Sequence, residues 1–590
     1  MKHTVKQLLC VALALVMVLA LAACAKTPAS STAPTSSAQG TASTGTSSAD
    51  EAKYPEWLNL DGYHPIVQKG TDKTVSFTIF CGSDYSNDPM SRYYWQAMEQ
   101  VLNIRCDVTQ VLSSAAADTI STMFASDTLK DVTIGASLTP EQQVLYGQTE
   151  KQLVNIKEYV NEELTPAIYK LFQEYPEMEA GLTLPDGGIY AFPFITEIKN
   201  PSNYTKRQIR ETWLTEQNLE MPKTLDDLTD VLYKFKSAYA GSIPLGGGFD
   251  YANPGSIILN ALGVITTDSK GEKAAVRNGE IIIPAGDKDV WTAYVKLMAQ
   301  YYTDGIIDPD FYTLDNVQAA ADASAGNVGV IAEIDPFIVC PDQSMYSQYT
   351  CLAPLTSDLC SEAFAAKNCV YSNGGCYVSV KAENMEVIMR WADWMLTSEG
   401  TNAAWVGANK NDDEMMLDGW GGWYVNDKYS RVDVDRVDVE GGEDKYPNAV
   451  VYLRSKVAGF DMGSLGTTIS ENVYRQSLSN LEILDYYDQY KLSPENGDFY
   501  WRVSTMEQLD PVQISCLPAN VFFDEDTSDR VTELSTVIND YIESETAKFV
   551  TGKQSLDKLD DYFKGLENLG FSEYLGYYQE AYANALKAYK

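Results

Sequence analysis

The chain has 590 residues, with 44 Lys and Arg against 82 Asp and Glu, a formal net charge of −38 at neutral pH. That acidity argues against nucleic acid or anionic lipid as a charge-held partner, and two histidines in the whole chain exclude a His-rich zinc site. The length exceeds one hydrophobic core and suits two or three domains.

The chain opens on Lys2, His3 and Lys6, followed by an apolar run from Leu8 to Ala23. The run is shorter than the ~20 residues that span a bilayer. A weak membrane helix is one reading. The other is a lipoprotein signal peptide over 1–23, closed by the lipobox Leu21-Ala-Ala-Cys24, with Cys24 as the lipidation site and first mature residue. Small residues directly before Cys24 and the composition after it favour the second. From Ala25 to Ala52 no apolar side chain exceeds alanine, so nothing there offsets the entropy of ordering. Residues 24–53 are therefore expected to be a flexible Ser/Thr/Pro/Ala tether with about 30 Å of reach. Losing Lys2 and Lys6 with the leader takes the net charge from −38 to −40.

Thr74 to Phe80 alternates apolar and polar residues, which predicts a strand ending in the loop 81–87. A helix over 91–102, a strand over 104–108, a helix over 115–125 and a strand over 131–134 follow. Strand, helix, strand, helix, strand implies a parallel sheet. Ligands sit outside the carboxyl ends of such strands, which places Asp84, Tyr85 and Ser137 beside a cleft. A second α/β block starts after Tyr190. Within it, Thr224 and Asp227 form a capping-box start, and Leu225, Leu228, Leu232 and Phe235 recur at helical spacing to Lys236. Further helices are expected over 383–396, stopping at Gly400, over a stripe from Val531 to Tyr541 that closes at Gly552, and over 574–586.

Beyond Cys24 the cysteines are Cys81, Cys106, Cys340, Cys351, Cys360, Cys369, Cys376 and Cys516. None shows C-x-x-C spacing, so buried free thiols or one local bridge are expected, with Cys360 and Cys369 the pair to check. Ser-His-Asp or Cys-His chemistry would have to pass through His64, the one histidine outside the leader; a solvated surface histidine is the expectation. Gly246-Gly-Gly248 lacks the Lys-Ser/Thr of a phosphate loop and reads as a tight turn. The acid-rich run Asp433 to Asp444 could offer oxygen ligands to calcium, but it lacks EF-hand spacing and reads as a solvated loop. No cofactor and no metal is predicted.

Several segments in order carry a family resemblance: the lipobox and tether, Leu184-Pro-Asp-Gly-Gly-Ile-Tyr-Ala-Phe-Pro193, Arg210-Glu-Thr-Trp-Leu214 running into Met221-Pro-Lys-Thr-Leu-Asp-Asp227, Tyr302-Thr-Asp-Gly-Ile-Ile-Asp-Pro-Asp310, Ala325-Gly-Asn-Val-Gly329, and Arg390-Trp-Ala-Asp-Trp394 with Glu399-Gly400. Together they resemble the extracellular solute-binding lipoproteins of ABC importers, in the oligosaccharide-binding class. The resemblance implies an α/β, two-lobed periplasmic-binding-protein-like fold with hinge strands and a helical C-terminal segment. It implies discontinuous lobes, 54–194 with 345–400 and 195–344 with 401–590. Phe192-Pro-Phe194 would be the first crossover and the segment after Glu333-Ile-Asp-Pro-Phe337 the next. The long stretch from 409 to 510 departs from smaller binders such as the maltose-binding protein.

A pyranose offers an apolar face to aromatic rings and hydroxyls to planar polar groups. Loops that set aromatics beside glycine or carboxylate are therefore the candidate contacts: Phe249 and Tyr251, Asp335 and Phe337, and Trp420 and Trp423. Trp213, Trp391 and Trp394 lie in helical patterns and are expected in the core. The implied protein is a non-enzymatic, monomeric carbohydrate binder, lipid-anchored through Cys24 on the outer face of the cell membrane. It would close on its ligand and deliver it to the transmembrane subunits of an ABC permease. The competing classes are a peptide-binding or chaperone-like surface lipoprotein and a secreted glycosidase using two carboxylates.

Overall fold

The structure, a computed structural model, describes residues 53–83, 85, 88–195, 204–333, 336, 339–340, 342–369, 371–425, 431–446, 449–461, 464–467, 498–518 and 520–588. The expected leader, Cys24 and nearly all of the tether lie outside the described residues, as do Asp84, Asp335 and Phe337.

The expected opening is present. β1 (Thr74–Cys81) lies between β2 (Arg105–Leu112) and β3 (Val132–Ile134), all parallel, with helices Tyr93–Gln100 and Ala116–Ala125 in the connections. β1 alternates at its start and is then buried on both sides from Phe77 to Cys81, as a parallel strand between two helical layers must be. β2 runs four residues past its expected end at Val108. It is the edge strand, so its half-exposed polar alternation carries little apolar signal.

β4 (Phe192–Ile195) ends the first stretch of this half. The second sheet is built from β5 (Gln208–Arg210), β6 (Ile243–Leu245), β9 (Val328–Ile331) and β10 (Tyr349–Cys351), with the hairpin β7 (Ala275–Arg277) and β8 (Glu280–Ile282) beside it. Its order is β10-β5-β9-β6, with β6 and β9 parallel. β11 (Ala365–Lys367) then leads into β12 (Tyr371–Val378), which returns to the first sheet. A hairpin of β13 (Trp423–Val425) and β14 (Arg431–Asp433) precedes β15 (Gly466–Thr467), and β16 (Gln513–Ser515) pairs in parallel with β11. The first sheet thus reads β15-β4-β12-β3-β1-β2. Of the segments expected in one lobe each, 345–400 contributes β10 to the four-stranded sheet and β12 to the six-stranded one, and 401–590 contributes β15 to the six-stranded sheet.

The helix Leu225–Ala238 starts on the expected box: Thr224 Oγ1 accepts from Asp227 N–H at 3.0 Å while the Asp227 carboxylate accepts from Thr224 N–H at 3.0 Å. The helix expected over 383–396 is present as Met385–Met395, but Gly400, expected as its stop, lies inside a second helix, Ser398–Trp405. The break falls at Thr397, whose hydroxyl accepts from Gly400 N–H at 3.2 Å and caps the second helix. Gly400 is required by contact, since a Cβ there would run into the Trp394 carbonyl oxygen. The C-terminal helices are Glu525–Val550, Leu559–Asn568 and Phe571–Ala588. Gly552 follows the first in the left-handed region, at φ 71°, as expected of a helix end.

One large core gathers Leu228, Leu232 and Phe235 with Trp291, Val295, Ile538, Ile542 and Tyr562, so the C-terminal helices complete the second half of the molecule. Trp213, Trp391 and Trp394 are buried as expected. The eight cysteines are free. Cys360 and Cys369 are not bridged: the Cys360 thiol donates to the Glu362 carbonyl and the Cys369 thiol to the Cys516 carbonyl.

Candidate ligand-binding cleft

β6 and β9 are parallel neighbours, and their carboxyl ends open into a cavity of about 450 Å³. Three loops shape it. After β6 the chain turns through Gly246-Gly-Gly248; Gly247 adopts φ +108°, and a Cβ there would run into the Ala252 carbonyl oxygen. Gly248 N–H donates to the Tyr251 carbonyl at 2.7 Å. The glycines make the tight turn expected of them and bring Phe249 and Asp250 to the cavity wall. After β9, Ala332 and Glu333 form a second wall. The third is the turn 268–273, where Asp268 Oδ2 accepts from the N–H groups of Gly271 at 2.8 Å and Glu272 at 3.1 Å. Tyr204 and Lys206, on the way into β5, and Asn368, between β11 and β12, complete the lining.

Two lysines at the wall are paired with carboxylates. Lys206 Nζ donates to Glu333 Oε2 at 3.1 Å. Lys270 Nζ lies 2.8 Å from Asp250 and 2.9 Å from Glu543, and 4.1 Å from the centre of the Phe249 ring. Phe249 also meets Tyr312 with ring centroids 5.3 Å apart. Glu272 stands outside these pairs. Burial, then the charges of Glu543 and Asp268, push its carboxyl up to about 8, and its Oε1 is buried without a hydrogen-bond partner. The site therefore offers carboxylate, ammonium and amide groups beside a ring, the mixture that sugar hydroxyls and a sugar face require.

The expected contact residues separate into groups. Phe249 lines the cavity, and Tyr251, half-buried, follows on the same turn; its phenol is pushed up by burial and then by the Glu333 carboxylate. Tyr85 and Ser137 sit at the carboxyl ends of β1 and β3, Ser137 exposed and Tyr85 3% exposed. Trp423 opens β13 and Trp420 lies in the loop before it, and neither lines this cavity. Trp420 packs edge-on to Tyr93 at 5.5 Å, and Trp423 Nε1 donates to the Gly407 carbonyl at 2.9 Å. Trp423 lines a separate cavity of about 300 Å³ with Glu399, Asn402 and Asp412.

Sequence reasoning missed Lys206, Lys270, Asp268 and Glu272. A search for rings beside glycine passed over the run Asp268-Ser-Lys-Gly-Glu272, whose signal is charge beside a turn glycine. His64 also departs from expectation. Its side chain is 18% exposed and lies between two carboxylates, Nε2 2.6 Å from Glu399 and Nδ1 2.8 Å from Glu414. Among the described residues no group of three or more His, Cys, Asp or Glu is arranged to hold a metal ion, and no helix is long and apolar enough to cross a membrane.

No family model matches the chain. It is 24% identical over 562 residues to the fructooligosaccharide ABC transporter substrate-binding protein FusA of Streptococcus pneumoniae, covering 91% of this chain and 94% of FusA. The structure of FusA in complex with kestose superposes with a TM-score of 0.65 at 22% identity, over 88% of this chain and all of that one. An HMO-binding, ABC-transporter-associated solute-binding protein of Bifidobacterium longum infantis gives 0.65 at 18% identity over 87% of this chain and 98% of its own. A shorter stretch of 135 residues, 21% of this chain and 26% of its relative, is 27% identical to lipoprotein LipO of Bacillus subtilis. FusA is a substrate-binding protein and not an enzyme, which weighs against the glycosidase reading. Across nearly its whole length the chain is homologous to FusA, and its fold is that of the two-lobed solute-binding proteins of ABC transporters.

Proposed function

We propose that this protein captures a carbohydrate, an oligosaccharide, in the cavity at the carboxyl ends of β6 and β9, and delivers it to the transmembrane subunits of an ABC permease. The reading rests on one observation above others: a cavity walled by Glu333, Lys206, Asp250, Lys270 and the Phe249 ring in a chain homologous to an oligosaccharide carrier. The lobes are proposed as the two bodies built on the six-stranded and four-stranded sheets. Ligand that touches both is bound best when they close, so binding shifts the population toward the closed form that a permease would recognise. Cys24 is proposed to carry the lipid that holds this monomeric protein on the outer face of the membrane.

The test is calorimetric titration of residues 53–590 with fructo-oligosaccharides, milk-type and plant glycans, and peptides. Saturable binding of one glycan series supports the reading, and binding of peptides alone overturns it. Replacing Asp335 and Phe337 with alanine is expected to weaken glycan binding with the melting temperature unchanged; unaltered affinity removes that loop from the site. For the anchor, Cys24→Ala is expected to release the full-length protein from membranes into the medium.

A further inference from the structure

The cavity described above belongs to the second sheet, and a ligand clamped by two lobes needs a partner surface on the first. The carboxyl end of β1 carries one. There two guanidinium groups approach the Tyr85 ring, Arg92 at 5.0 Å and Arg454 at 5.9 Å from its centre. Arg92 is buried, donates to Gln110 and to the Gly459 carbonyl, and so holds the strand end together from beneath. Asp461 reaches the same point: its Oδ2 accepts from Gly82 N–H at 3.0 Å, the first amide beyond β1, and its charge adds to the burial that pushes the Tyr85 phenol up.

Exposure divides this cluster into a base and a surface. Cys81, Tyr85 and Arg92 are buried, whereas the Asp461 and Arg454 side chains are 29% and 39% exposed. Asp461 Oδ1 stands 3.7 Å from Arg454 Nε, an ion pair too long for a hydrogen bond. A carboxylate has about four lone-pair sites, so Oδ1 retains acceptor capacity. The guanidinium adds a planar fork of donors.

Resting on the carbohydrate reading, we infer that Asp461 and Arg454 form the first-lobe half of the ligand clamp, accepting from and donating to sugar hydroxyls opposite Glu333 and Lys206. Both come from the late stretch 409–510 that departs from smaller binders. That stretch, on this inference, supplies a wall of the site, and Tyr85 acts beneath it as a positioning residue. The position is the one where an open α/β sheet receives ligands, and an acid with a base in each lobe lets a single glycan satisfy both sides only on closure.

The experiment is a double-mutant cycle by calorimetry with the best glycan found for the wild type, using Asp461→Asn, Arg454→Gln, Glu333→Gln and the paired variants. Each single change is expected to weaken binding five- to fiftyfold with an unchanged melting temperature, and Asp461→Asn is expected to be non-additive with Glu333→Gln. Asp461→Glu should recover part of the affinity, which a purely structural cap on Gly82 would not show. If the wild type binds glycan and Asp461→Asn and Arg454→Gln bind it equally well, this inference fails while the carbohydrate reading stands. If the wild type binds no glycan, the carbohydrate reading itself fails and this inference falls with it. If Asp461→Asn loses melting temperature, Arg454→Gln alone decides the inference by the same affinity criterion.

Discussion

Lys206, from the segment leading into β5, and Glu333, two residues beyond β9, close an ion pair of 3.1 Å at the cavity wall. The pair is unequal: the Glu333 side chain is 7% exposed and that of Lys206 46%. Removing the buried member's charge and removing its partner therefore have different consequences. Glu333→Gln keeps the shape and loses the charge-assisted acceptor, and is expected to weaken glycan binding by about 1–2 kcal/mol. Lys206→Met leaves a buried carboxylate without its ammonium, so it is expected to lower the melting temperature as well. Calorimetry and thermal melts on both variants check this; equal melting temperatures would contradict the asymmetry.

His64 gives a pH signature of its own. The hydrogen bond to Glu399 is the main cause that raises it, burial opposes, and Glu414 adds to the rise, taking the imidazolium from its ordinary 6.5 up to about 9. A base whose folded value is raised contributes stability that is complete below 6.5 and is lost as pH climbs through 9. Glu414 is 76% exposed, so solvent screening reduces the contribution to about 1 kcal/mol. His64→Gln is expected to melt below wild type at pH 6 and with it at pH 9.5. A difference that does not change across that window would refute the assignment.

Glu272 runs the other way. Its carboxyl rises from 4.5 to about 8, through burial first and then Glu543 and Asp268. The native state thus keeps a proton that the unfolded chain has given up. The resulting penalty is absent below 4.5, grows between 4.5 and 8, and is complete above 8. Glu272→Gln removes it. The variant is expected to gain a few degrees in melting temperature at pH 8.5 and almost nothing at pH 4.5, measured by calorimetric scans across the range.

The βαβαβ opening and the helix from Leu225 were legible because local patterns and tertiary burial agree there: β1 alternates then buries, and Thr224 and Asp227 cap as their spacing requires. Gly400 misled because its reason is contact with the Trp394 carbonyl, which no local pattern encodes. The strand memberships of β10 and β15 were hidden for a similar reason. Two or three residues carry no period, and only pairing partners distant in sequence define them. Of the cavity, Phe249 was visible as a ring beside glycine. Lys206 and Glu272 were not, since their position follows from the meeting of 204–206, 249–273 and 332–333 in space.

The turn after β6 offers a test of how much of the site is set by backbone alone. Gly247 has φ +108°, outside what L residues adopt comfortably, and its Cα faces the Ala252 carbonyl closely enough that a Cβ collides with backbone. Backbone cannot rotate away as a side chain can, and Gly248 N–H is already committed to the Tyr251 carbonyl. Gly247→Ala is therefore expected to destabilise by about 2 kcal/mol or more and to displace Phe249 and Asp250 from the cavity wall. Gly241, also at positive φ but with open space around its Cβ, is the matched control, where alanine should cost about 1 kcal/mol and leave glycan affinity intact. Melting curves and titrations on the two variants separate the effects: if Gly247→Ala loses no more affinity than Gly241→Ala, the turn does not position the site.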